Sequence, residues 1–128
     1  MPTVSDGLKG CNVRRVRKVI RSGFGGLIVI VLGRMAARGR LPRNLFAGIR
    51  IPSTMRTDEA WRAGHRAASR ALTVAGLGPI VAAAAVVAKR PEGDTEKILL
   101  RAGNGWLLAW LGLATFRASR AARTAETS

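Results

Sequence analysis

Residues 71–88 carry no charge over eighteen positions, and Arg70 on one side and Lys89 with Arg90 on the other close the run. An α-helix of that length rises about 27 Å, against roughly 30 Å for the hydrocarbon core of a bilayer, so the run is the clearest candidate for a membrane-spanning helix. The alternative is an alanine-rich helix buried in a water-soluble bundle, but the run has no polar face to turn towards water. Pro79, after Gly78, predicts a kink because it removes a backbone hydrogen bond and crowds the preceding turn. Gly78 and Ala82, four residues apart, would let another helix approach closely.

The rest of the chain is sorted in the same way. Of 128 residues 23% are charged, yet the mean hydropathy is +0.12, so charge and apolarity must be segregated along the chain. By length it is one domain. It divides into a basic N-terminal tail (1–18), a first apolar segment (about 19–37), a long loop (38–70), the run 71–88, a third apolar segment (98–116) and a basic C-terminal tail (117–128). The uncharged part of the first segment, 22–33, would rise only about 18 Å, so spanning needs its flanks, with Arg21 and Arg34 reaching outward to water. An interfacial or re-entrant segment is the alternative there; a cleaved signal lacks a small-x-small site before Arg34. The third segment is broken only by Arg101 and Asn104, and Trp106 and Trp110 share one helical side. Asn104 could cap the helix or bond to a neighbouring one. Pro91 to Asp94 reads as a turn, and the tail with Arg117, Arg120 and Arg123 as solvated and frayed.

The net charge of +15, from 22 Lys and Arg against 7 Asp and Glu, calls for anionic surroundings. Lipid headgroups and nucleic acid both qualify on charge; the apolar runs disfavour a soluble nucleic-acid binder, leaving anionic phospholipids as the expected partner. Cys11 stands alone, which excludes an internal disulfide and a cysteine metal site. With three spans, Lys and Arg number twelve on the side of loop 34–70 and the C-terminal tail, and ten on the other. The dense, longer loop is the better cytoplasmic candidate, which places the N-terminus outside.

Residues 44–66 hold the only histidine and the only adjacent pair of acidic residues. Pro52 pushes Ile51 towards an extended conformation, and Gly48 permits a turn. Arg50 is thereby set on a stiff, non-helical segment, where its planar, always-charged group suits bidentate binding of carboxylate or phosphate. An ion pair with Asp58 or Glu59 is the equal alternative. Thr57 is a good N-cap, and Asp58 and Glu59 then favour the positive end of a helix. At helical spacing Trp61, His65, Ala68 and Leu72 share one side, and Arg62, Arg66 and Arg70 another. The result is an amphipathic helix feeding into the apolar run, with a basic stripe suited to lipid headgroups. Trp61 reads first as an interfacial anchor and second as a recognition residue; His65 reads as a helix-face residue at the interface.

The order Asn44, Gly48, Ile49, Arg50, Pro52, Thr54, then Asp58, Glu59, Trp61, His65 and Arg66 resembles the signature of the SdpI-type family of bacterial membrane proteins. The family usually has Thr between the Arg and the Pro, where this chain has Ile51. The resemblance implies a multi-pass protein of the bacterial inner membrane, of the toxin-immunity or signalling type. A protein or peptide partner would then meet Asn44, Gly48, Arg50, Pro52, Thr54, Asp58, Glu59, Trp61 and His65, with lipids on Arg62, Arg66 and Arg70. An accessory subunit of a larger membrane assembly is the alternative.

Catalysis has little to work with. A lone histidine cannot build a zinc site, Ser53, Asp58 and His65 lack a nucleophile elbow, and Gly23 to Gly26 lack the Lys-Ser/Thr of a phosphate loop. No enzyme activity, cofactor or metal is expected. The expected fold is an all-α integral membrane protein of three hydrophobic helices, with an amphipathic helix in the first loop.

Overall fold

Four helices form in the computed structural model of the protein, which describes residues 4–42 and 50–127: α1 (Val4–Ala37), α2 (Pro52–Met55), α3 (Asp58–Lys89) and α4 (Asp94–Glu126). The architecture is all-helical, as expected, but the divisions within it differ. The amphipathic stretch and the run 71–88 make one unbroken helix, because nothing between Thr57 and Arg90 ends it and the chain continues helical through Pro79. The N-terminal tail is helical from Val4. The C-terminal tail is no frayed end: α4 continues through Arg117, Arg120 and Arg123 because Ala118 and Ala122 are fully buried. Asn104 is an exposed residue ten positions into α4, so it does not cap the helix.

The turn between α3 and α4 forms where the sequence placed it. Arg90 adopts a left-handed conformation (φ 45°) and its N–H donates to the Val86 carbonyl, while Gly93 supplies a second positive φ of 62° just before Asp94. Arg15 of α1 secures this corner, its Nε donating to Glu96 at 2.6 Å and its Nη2 to the Pro91 carbonyl at 2.6 Å.

α3 is the central helix, flanked by α1 and α4 in antiparallel order. Gly26 and Gly76 meet backbone to backbone, and Pro79 packs beside them. A methyl group on Gly33 would lie 2.9 Å from the Thr73 nitrogen and 3.0 Å from the Ser69 carbonyl oxygen, so α1 can approach α3 there only as glycine. On the other flank, a methyl on Gly103 would lie 2.7 Å from the Ala82 Cβ, and Gly78 leaves room for the Trp106 ring. Trp106 Nε1 donates to the Val74 carbonyl at 3.0 Å. Ala68, Ala71 and Leu72 pack against Ala114 and Ala118 nearer the other end.

Small side chains thus fill the interior. Among the described residues ten of the fourteen buried apolar side chains are alanine, while Ile20, Phe24, Leu27, Val81, Leu108 and Phe116 stand half or more exposed. This inverts a water-soluble core, in which each large apolar side chain gains about 1.5–3 kcal/mol by burial. Close backbone approach through small residues is how helices associate where their surroundings are themselves apolar. Two helices, α1 over Asn12–Ala37 and α3 over Asp58–Lys89, are long and apolar enough to cross a membrane. α4 is not, since Arg101, Asn104 and three glycines dilute its apolar stretch.

Candidate partner-binding site

The segment entering α3 is built from its own side chains. Ile51 is extended (φ −112°, ψ 153°), as its position before proline requires, and Pro52 opens the single turn α2. The buried Thr54 closes that turn: its hydroxyl donates to the Ile51 carbonyl at 3.0 Å and accepts the Ile51 N–H at 3.3 Å. Thr57 then caps α3, its hydroxyl accepting the Ala60 N–H at 3.0 Å, with Asp58 and Glu59 in the first turn. The cap and the acidic first turn stand where the sequence put them.

Beneath α2 lies a polar-aromatic knot. Trp61 is 2% exposed, and its Nε1 donates to the Leu41 carbonyl at 3.1 Å, tying the chain after α1 to α3. Ala36, Leu41 and Trp61 form a small buried cluster. The expectation of Trp61 as an interfacial anchor is corrected: its ring is enclosed by the protein's own chain, because the only donor on the ring is matched by a carbonyl inside. His65 is likewise buried, its ring centroid 4.0 Å from that of Trp61 and its Nδ1–H donating to the Trp61 carbonyl at 2.9 Å. His65 precedes the apolar run of α3. Burial holds its imidazole below the ordinary value of 6.5, and the hydrogen bond to Trp61 opposes that shift in part. Gly64 lets α2 and α4 close over this knot, for a methyl there would come within 2.8 Å of Thr54 Cγ2 and 3.1 Å of the Ala118 carbonyl oxygen.

The surface over the knot is a cleft of about 650 Å³. Ile51, Pro52, Ser53 and Arg56 form one wall, and Thr115, Phe116, Ser119 and Arg123 of α4 the other. It joins apolar patches and hydroxyls between two guanidinium groups, with no carboxylate in its lining among the described residues. Arg50 is exposed at the entry to α2 and, among the described residues, pairs with neither Asp58 nor Glu59. Of the residues expected to face a partner, Arg50, Pro52, Asp58 and Glu59 lie at the surface, while Thr54, Trp61 and His65 support it from within. Asn44 and Gly48 lie outside the described residues. Arg62, Arg66 and Arg70 are all exposed on one outer face of α3. The wall supplied by α4 was not anticipated; only the alanines at 118 and 122, spaced one turn apart among arginines, hinted that the tail packs.

With α2, α3 and the facing part of α4 in place, a model of the SdpI/YfhL protein family matches residues 40–117, more than half of the chain. The chain belongs to the SdpI/YfhL protein family. The matched region runs from near the start of the α1–α2 connection through α2 and α3 to Arg117 of α4, and so includes the whole α2 wall of the cleft and Thr115 and Phe116 of the α4 wall, while Ser119 and Arg123 follow it and α1 precedes it. Neither a curated protein nor a solved structure matches the chain.

Proposed function

We propose that the protein is a non-enzymatic, multi-pass protein of the bacterial inner membrane, of the immunity or signalling type, that binds a peptide or protein partner at the end of the bundle formed by α2, the start of α3 and the end of α4. The observation that carries this reading is the family match, which spans α2, α3 and most of α4. The inverted packing supports the membrane setting. It also favours a third crossing: Gly103 packs on Ala82 and Trp106 on Gly78, so α4 lies at the depth of the apolar run of α3. A helix held there shares whatever layer α3 occupies. The exposed Arg50 beside a cleft whose described lining is apolar, hydroxyl-bearing and basic supports a partner that brings acidic groups.

Arg50→Lys against Arg66→Lys tests the partner reading. Lysine keeps the charge and loses the planar fork, so loss of a charge-assisted bidentate contact at Arg50 should cost about 1.5–3 kcal/mol of binding. Arg66 faces outward on the basic stripe, where charge alone suffices. In gently solubilised membranes both variants should accumulate normally, with partner recovery falling for Arg50→Lys only. Equal recovery for the two would reduce the region to a basic surface. Stoichiometric partners retained by both variants would favour the accessory subunit instead.

A further inference from the structure

A second cationic site lies away from the cleft, between the end of α1 and the middle of α3. Arg34 and Arg38 from one side and Arg70 from the other line a recess of about 410 Å³, with Ala37, Thr73 and Val74 between them. All three arginines are exposed, and among the described residues none has an ion-pair partner. Among the described residues no carboxylate lines the recess. The nearby hydroxyls are already committed, Ser69 to the Arg66 carbonyl at 2.8 Å and Thr73 to the Ser69 carbonyl at 2.9 Å. Three like charges converging without a counter-charge repel one another unless an anion sits among them.

The recess is placed at a boundary. Arg34 ends the uncharged run 22–33 of α1, and Arg70 precedes the run 71–88 of α3. From Arg34 an exposed apolar stripe leads along α1 through Val31 and Leu27. From Arg70 a second leads along α3 through the half-buried Val74 to the exposed Leu77 and Val81 at helical spacing. By helical spacing, the cationic recess is thus continued by one apolar stripe on each of the two helices that line it. We propose that this recess binds an anionic phospholipid, its phosphate held by Arg34, Arg38 and Arg70 and its acyl chains lying along the stripes. A free phosphate would use the arginines but leave the stripes without purpose. The site rests on the membrane setting proposed above and adds a defined lipid to it.

Native mass spectrometry of the full chain, purified with dioleoyl phosphatidylglycerol or dioleoyl phosphatidylcholine, tests the site. The wild type should retain phosphatidylglycerol in preference to phosphatidylcholine. R34Q/R38Q/R70Q should lower that retention about tenfold or more, since each cation near a headgroup contributes separately. K89Q/R117Q/R120Q, which removes the same charge outside both the recess and the cleft, should leave it unchanged. Millimolar glycerol 3-phosphate should not displace the lipid. Equal losses in the two triple variants, no preference between lipids, or displacement by glycerol 3-phosphate would each overturn the site. Alkaline carbonate extraction separates the two levels: release of the wild type into the supernatant would overturn the membrane setting as well, whereas a pelleted protein failing the lipid test would overturn the site alone.

Discussion

His65 is the residue whose chemistry the fold changes most. In the unfolded chain it would titrate near 6.5, and in the folded protein burial keeps it neutral to lower pH. The unfolded state therefore binds more protons below that value, and stability must fall as pH drops through it. His65 contributes its full share above about pH 6.5 and progressively less as the medium acidifies. Thermal unfolding in mild detergent should show a lower midpoint at pH 5.5 than at pH 7.5, a window above the ordinary carboxylate values near 4. His65→Gln should start from lower stability, having lost the ring contact with Trp61, but its midpoint should no longer fall across this window. An undiminished acid slope in that variant would assign the effect to another group. At this scale the sequence was informative about backbone and silent about partners. Thr57 could be read as a cap because its hydrogen bond is local, three residues away. The fate of Trp61 could not, because the carbonyl that takes its proton belongs to Leu41, twenty residues earlier.

Helices were legible from their apolar runs, and their ends less so. Apolarity marks 71–88 and 98–116, yet α3 begins well before the first run and α4 ends well beyond the second, since buried alanines such as Ala60, Ala118 and Ala122 extend the packed seams into charged sequence. An alanine among arginines looks solvated until another helix is laid against it. The seam between α1 and α3 gives a direct check. A side chain's first carbon on Gly23 would stand 3.6 Å from the Ala83 Cβ, within the range a disulfide spans. In a Cys11→Ser background, Gly23→Cys with Ala83→Cys should crosslink under mild oxidation and shift on a non-reducing gel. Adding Gly76→Ile should prevent it, because Gly76 lies against the backbone of Gly26 and a branched side chain there must push α1 away. Crosslinking that survives this change would mean that the two helices meet along another line.

For the whole molecule, the decisive quantity is how many helices cross the membrane. Composition gives two, α1 and α3; packing favours three, because α4 is fixed alongside α3 from Gly103 and Ala82 at one end to Ala118 and Gly64 at the other. Hydropathy weighs each residue as if lipid surrounded the whole helix, whereas Gly103 and Ala114 of α4 face α3 and need not be apolar enough to meet lipid alone. Charge counting is nearly even, and the dense loop 34–70 makes the α2 end of the bundle the expected inner end. Three crossings put the chain's two ends on opposite sides; two crossings put the N-terminus and all of α4 on the same side. Cys11 reports one end, and Thr127→Cys in a Cys11→Ser background reports the other, at an exposed position beyond α4. In cells stripped of their outer layers, a membrane-impermeant maleimide should label Cys11 before lysis and the cysteine at 127 only after it. Labelling of both before lysis, or of neither, would leave α4 on one face of the membrane and sink the third crossing. Labelling of the 127 cysteine alone would keep three crossings and reverse their direction, turning the α2 end of the bundle and its partner cleft outward.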